Sequence, residues 1–152
     1  MQKCTLALGC FWKPEESFKN KSGILETEVG YAGGKNPYVT YEEVCEGSSG
    51  HAEVVRLTFD DSIISYEKIL DLFFKMHDPT QKNMQFPDVG TQYRSEIFYE
   101  NNDQKLSATK IKNESNKRFS GKIATNISKI NNYCKAEEYH QKYIEKNNKW
   151  EI

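Results

Sequence analysis

The chemistry legible in this chain starts at Gly9-Cys10-Phe11-Trp12. A cysteine attacks as the thiolate, not as the thiol, so its surroundings decide whether it reacts. Upstream, Lys3 to Gly9 has the short apolar pattern of a buried strand. Downstream, Pro14 suits only the first turn of a helix, where its missing N–H is not needed. Cys10 then sits where a strand hands over to a helix. The unpaired N–H groups and positive dipole end of that helix would stabilise a thiolate and lower its pKa from about 8.5. Glu15 and Glu16 favour the helix start but oppose thiolate formation if they lie close. Phe11 and Trp12 place aromatic carbon beside the sulfur, suited to an apolar substrate group. Free cysteine among aromatic residues is equally an ordinary core pattern, so the reading needs a second reactive group.

Glu53 supplies a candidate. His51 to Phe59 alternates with β-branched content, as a half-buried strand does, and Glu53 shares a face with Val55, Leu57 and Phe59. The register that buries those three turns a carboxyl toward the core. A desolvated carboxyl keeps its proton well above the free value of about 4.3, and a neutral acid can donate that proton. At a frayed strand end Glu53 would instead face solvent.

The remaining elements follow from periodicity and punctuation. A helix runs from Pro14 to Lys21, and Gly23 separates it from a strand over Ile24 to Tyr31. The glycine-rich stretch Gly30 to Pro37 lacks the spacing of a phosphate cradle and reads as a turn. Thr40-Tyr41-Glu42-Glu43 matches a capping box and opens a short helix ending before Gly47. Ser65 starts an amphipathic helix that His77-Asp78-Pro79 closes, with His77 as a packed helix-ending residue. A polar loop then carries Asp88, and Gln92 to Glu100 returns as a strand with Tyr93, Ser95, Ile97 and Tyr99 on one side. Asp103 caps a helix reaching Phe119 with a thin stripe of Leu106, Ala108 and Ile111. Lys122 to Ile130 is a further strand, and Ala136 to Ile144 a final helix with Tyr139 and Tyr143 one turn apart. Two βαβ-like units in sequence predict an α+β fold, a ferredoxin-like α/β plait with a mixed sheet, packed helices and a C-terminal extension.

With 152 residues the chain fits one domain, residues 1–152. Its 21 basic residues balance 22 acidic ones without a basic stripe, which argues against nucleic acid and anionic membranes and for a neutral partner. No signal-peptide pattern or membrane-length apolar run is present, so a cytoplasmic location is expected. The cysteines Cys4, Cys10, Cys45 and Cys134 contain no C-x-x-C pair, and reactive thiols fit a reducing compartment better than structural disulfides. Ligand spacing for a metal is lacking.

Several ordered motifs resemble those of the class A methionine sulfoxide reductases, the peptide-methionine (S)-S-oxide reductases. They are Gly9-Cys10-Phe11-Trp12 with Glu15, Gly30-Tyr31-Ala32-Gly33-Gly34, Thr40-Tyr41 with Glu43-Val44-Cys45, and Gly50-His51-Ala52-Glu53. His77-Asp78-Pro79, Asp88 with Gly90-Thr91-Gln92-Tyr93-Arg94-Ser95, and Ala136-Glu137-Glu138-Tyr139-His140-Gln141 extend the likeness over nearly the whole chain. The resemblance implies that Cys10 attacks the sulfur of the S-epimer of methionine sulfoxide, protein-bound or free. Glu53, helped by Tyr41 and Tyr93, protonates the sulfoxide oxygen; Phe11 and Trp12 hold the methyl group; Asp88 orients polar groups. It also implies a cysteine sulfenic acid product, no bound cofactor, a thioredoxin or another dithiol as external reductant, and a monomer repairing oxidised proteins. Two departures stand out. Lys13-Pro14 replaces the family's usual glycine-led pair, and the cysteine-bearing tail of many relatives is replaced by Trp150-Glu151-Ile152. Cys134 is the candidate substitute for the resolving cysteine, alongside the alternative that it is a packed thiol; Cys45 is read as structural. The rival enzymatic reading is a cysteine hydrolase in which His51 acts as base for Cys10, and a non-enzymatic rival is a methionine-binding module with an inert Cys10.

Overall fold

The alternation in Cys4, Leu6 and Leu8 on one strand and Val55, Leu57 and Phe59 on another gives each an apolar face, and in the computed structural model these faces form one side of a six-stranded sheet. Residues 1–147 are described; Trp150, Glu151 and Ile152 lie outside them. In chain order the elements are β1 (Gln2–Leu8), α1 (Trp12–Lys19), β2 (Ile24–Ala32), α2 (Tyr41–Cys45), β3 (Ala52–Phe59), α3 (Tyr66–Met76), β4 (Met84–Gln85), β5 (Asp88–Val89), β6 (Ser95–Tyr99), α4 (Asn102–Asn116), β7 (Asn126–Lys129), β8 (Cys134–Lys135) and α5 (Tyr143–Asn147).

The sheet order is β7-β6-β1-β3-β2-β8. β1 lies antiparallel between β3 and β6, β2 is antiparallel to β3, and β7 joins β6 in parallel, so the sheet is mixed. The four inner strands with α1 and α3 make the split βαβ arrangement of a plait, with β3 inserted between β1 and β2. The fold class expected from the sequence is therefore the one observed. α1, α3 and α4 cover one face through Phe18, Leu70, Phe73, Phe74 and Ala108, all buried. The opposite face carries Ala7, Ala32, Ala52, Val54 and Phe98.

Local signals held where side-chain chemistry was explicit. Thr40 and Glu43 form the full capping box, and Ser65 caps α3 by accepting from the Lys68 N–H. His77 ends α3 with its ring between the Phe73 carbonyl (2.7 Å) and the Ser95 hydroxyl (2.8 Å); burial lowers its pKa to about 4.

Three expectations need correction. The α4 cap is Asn101, which accepts from the Gln104 N–H, not Asp103, and Leu106 faces solvent at 62% exposure. Tyr93 belongs to a 3-10 turn over Thr91–Tyr93 and β6 starts at Ser95, so Tyr93 is released from the sheet face. The helix expected over Ala136 to Ile144 is instead an extended edge, a 3-10 turn (Glu138–His140) and the separate α5. The Ala136 N–H donates to the Val29 carbonyl, and the Gln141 amide bonds both the N–H and the carbonyl of Val29 (each 2.9 Å). Backbone pairing with the β2 edge wins over local helix propensity there. No described helix is long and apolar enough to cross a membrane.

Candidate active site

β1 stops at Leu8 and Gly9 turns the chain with a φ of 96°, a region that favours glycine. A Cβ on Gly9 would lie 2.9 Å from Cγ of Gln85, so the β4–β5 hairpin packs directly on the turn that presents Cys10. Cys10 is half-buried, one residue ahead of the Phe11 cap of α1.

The helix-end argument is only partly realised. Burial pushes the Cys10 thiol up to about 12; the Trp12 backbone N–H favours the thiolate, while Glu53, Asp88 and Cys45 oppose it. The expected lowering is thus reversed, because one aligned N–H does not offset desolvation. At neutral pH Cys10 holds its proton.

Glu53 fulfils the expectation for it. The antiparallel register Leu6↔Val55, carried two residues further, leads from Glu53 to Leu8 and hence to the Cys10 turn. Glu53 is 2% exposed, and its Oε1 accepts the Phe11 N–H at 3.2 Å. Burial raises its pKa to about 7, opposed by that N–H and aided by Asp88. Near neutrality a large fraction of Glu53 carries a transferable proton, adjacent in the structure to the residue after Cys10.

Tyr41 and Tyr93 are half-buried and their phenols are pushed up, Tyr41 first by a hydrogen bond with Cys45 and then by burial, Tyr93 first by burial and then by Glu53. Both remain donors. Asp88, in the short β5, acts on Cys10, Glu53 and Tyr93. Cys10, Glu53, Tyr41, Tyr93 and Asp88 therefore form one cluster. Phe11 is 1% exposed and Trp12 half-buried; Phe11 meets Tyr31 (ring centroids 5.8 Å) and His140 (5.3 Å), and His140 meets Tyr41 (4.5 Å), completing an aromatic wall.

The thiols are arranged differently from the expectation. All four cysteines are free. Cys4 is buried in the main core, whereas Cys45, read as structural, is exposed and close enough to act on Cys10 and Tyr41. Cys134 is half-buried, with its Sγ directed at the Val39 carbonyl (3.7 Å). It pairs with Tyr31, which pairs with Glu53, so Tyr31 stands between it and the carboxyl on the same sheet face.

Sequence reasoning gave no role to Tyr31, Glu137, His140 or Gln141, and to Glu15 only an electrostatic one at the helix start. Glu137 accepts from the Tyr31 hydroxyl (2.8 Å) and the Tyr41 N–H (2.9 Å), pinning α2 to β2. Glu15 accepts from Thr27 (2.7 Å) and from the Lys142 N–H (2.8 Å), tying α1 to the C-terminal segment. The available signal was polar residues crowded into one motif, Glu137 to Gln141, that no amphipathic pattern explains. The hydrolase reading loses its base: the buried His51 ring faces the Asn132 carbonyl (3.1 Å) and the Ser49 carbonyl (3.4 Å), and a Cβ on Gly34 would overlap it.

The half-buried Cys10 thiol, the buried Glu53 carboxyl bonded to the next residue's N–H, and the surrounding phenols and aromatic rings are thus carried on an α+β plait. Comparison with known proteins gives the family. The peptide methionine sulfoxide reductase family model matches residues 2–152. Peptide methionine sulfoxide reductase MsrA of Pelagibacter ubique is 55% identical over 146 residues, covering 96% of this chain and 99% of that one. The structure of Mxr1 from Saccharomyces cerevisiae in reduced form superposes with a TM-score of 0.94 at 39% identity, over 97% of this chain and 86% of that one. Mxr1 in complex with Trx2 matches with a TM-score of 0.67 at 28% identity, over 93% and 84%. The chain belongs to the peptide methionine sulfoxide reductase family.

Proposed function

We propose that this protein reduces the S-epimer of methionine sulfoxide, protein-bound or free, to methionine, and so repairs oxidised proteins. The observation that carries the reading is the buried Glu53 carboxyl, whose Oε1 accepts the N–H of Phe11, the residue after Cys10, and whose pKa burial raises to about 7. Glu53 gives its proton to the sulfoxide oxygen, with the Tyr41 and Tyr93 hydroxyls as further donors and Asp88 orienting polar groups. The oxygen becomes a better leaving group and the sulfur more electrophilic. As the Cys10 sulfur attacks, its own proton refills the Glu53 carboxylate, so neither group has to ionise alone in the buried site. Oxygen ends on Cys10 as the sulfenic acid and the thioether departs; Cys10 is oxidised by two electrons and the substrate reduced by two. Phe11 and Trp12 enclose the methyl group.

Recycling needs two further electrons. The Cys134 thiol attacks the sulfenic acid, releasing water and forming a Cys10–Cys134 disulfide, which a thioredoxin or another dithiol reduces. Support comes from β8, an edge strand held by only two paired residues, and from the Mxr1 complex with Trx2. No bound cofactor is required. All groups invoked come from one chain, which fits a monomer whose residues 1–152 act as one catalytic domain in the cytoplasm.

Cys10→Ser should abolish dithiothreitol-driven reduction of methionine S-sulfoxide, and retained turnover would refute the reading. Cys134→Ser should still release one methionine per chain but stop thioredoxin-driven cycling. A Cys10–Cys45 disulfide in the oxidised wild type would transfer the resolving role to Cys45.

A further inference from the structure

The wall of the aromatic cup is held from the C-terminal segment. The Trp12 indole N–H donates to Nδ1 of His140 at 3.1 Å, and the indole lies flat on Tyr143, with ring centroids 3.8 Å apart and an interplanar angle of 9°. Indole nitrogen only donates, so Nδ1 is the unprotonated nitrogen and Nε2 carries the hydrogen of a neutral ring. That Nε2 is buried without a partner among the described residues, and His140 as a whole is 1% exposed. Burial lowers its pKa, with Glu137 and Glu42 opposing and Lys146 assisting.

Stacking alone lets an aromatic ring slide and rotate in its own plane at little cost. The N–H···N bond to His140 is the directional restraint on Trp12. The segment carrying it is itself fixed, by Gln141 on Val29 and by Lys142 on Glu15.

We infer that His140 is a positioning residue that locks the plane of Trp12 and thereby limits the cup to a sulfoxide bearing an S-methyl group. The inference rests on the functional reading above and goes beyond it by assigning substrate size selection to a residue outside the reacting cluster. A rigid wall separates alkyl groups differing by one methylene about 10- to 200-fold, whereas a rocking wall gives up most of that.

The test compares kcat and KM for S-methyl and S-ethyl substrates, methionine S-sulfoxide and ethionine S-sulfoxide, with dithiothreitol as reductant, in wild type, His140→Phe and His140→Asn. Phenylalanine keeps a ring but no acceptor, and asparagine returns an acceptor near the Nδ1 position. Trp12 emission is followed in a Trp150→Phe background, since these are the only two tryptophans. His140→Phe should raise KM for the methyl substrate more than it lowers kcat, reduce the methyl preference to within a few-fold, and shift Trp12 emission; His140→Asn should recover much of all three. An unchanged methyl preference in an active His140→Phe, or unchanged Trp12 emission, overturns the lock. A wild type that reduces neither sulfoxide overturns the functional reading and the size selection with it, while emission still reads the Trp12–His140 bond.

Discussion

The two side chains proposed to react, Cys10 and Glu53, both have raised pKa values, and for the same reason. Burial raises the Cys10 thiol to about 12 and the Glu53 carboxyl to about 7. An isolated thiolate would be costly in that position, which is why the proposed reaction exchanges protons between sulfur, carboxyl and substrate oxygen. Two consequences follow at this scale. Iodoacetamide should label Cys10 at pH 7 at least about tenfold more slowly than free cysteine, with the rate still rising at pH 9; rapid neutral labelling would show a stabilised thiolate. The second concerns Glu53→Gln, which keeps an acceptor for the Phe11 N–H but has no proton to give. Its turnover should fall by about 10²- to 10⁴-fold. The native carboxyl binds its proton more tightly than the unfolded chain does. Its stabilising contribution is therefore full below the ordinary value of 4.5 and is lost as pH rises through about 7. Chemical denaturation should show Glu53→Gln gaining on wild type between pH 5 and pH 8, by on the order of 3 kcal/mol. The inward carboxyl was legible because a period of two leaves one choice once Val55, Leu57 and Phe59 are buried. The raised thiol pKa was not legible, since it comes first from burial, by elements as distant in sequence as the β4–β5 hairpin that packs on the Cys10 turn.

At the scale of elements, strands and capped helices could be read from alternation and from Thr40, Glu43 and Ser65, whose side chains bond their own segment. Residues 136–147 could not, because their hydrogen bonds go to β2 and α1, about a hundred residues earlier in the chain. Tyr93 was misplaced for a related reason: an aromatic residue in alternation with Ser95 and Ile97 looks like strand, yet the turn at Gly90 takes it out of the sheet. Glu15 is the joint that matters most. Its side chain is 2% exposed and accepts from Thr27, from the Lys142 N–H and from the Lys142 ammonium (2.9 Å). The Lys142 side chain is 36% exposed and its ammonium can return to water, so the loss in Glu15→Ala is chiefly that of buried hydrogen bonds. Thermal or denaturant unfolding should register about 2–3 kcal/mol, together with a raised KM, since Tyr143 and His140 lose their anchor. A variant as stable as wild type would remove Glu15 from this role.

For the molecule as a whole, the plait brings the end of β1 and the start of β3 to one rim of the sheet, with β2 and β8 beside them. The β4–β5 hairpin and the 133–140 segment then lie over that rim, so β3 delivers Glu53 and the turn after β1 delivers Cys10, while the hairpin delivers Asp88 and 3-10 turns deliver Tyr93 and His140. Cys10 and Glu53 were readable as sequence patterns, Tyr41, Tyr93 and Asp88 only through likeness to a family, and His140 not at all. The chemistry proposed at that rim is the transfer of one oxygen atom from substrate sulfur to the Cys10 sulfur. Its most direct test is a single-turnover mass measurement on a Cys45→Ser, Cys134→Ser protein mixed with excess methionine S-sulfoxide and no reductant. The account predicts one methionine released per chain and the mass of one added oxygen, mapped to the peptide containing Cys10. Methionine released without any change at Cys10, or the oxygen found on another residue, would contradict it.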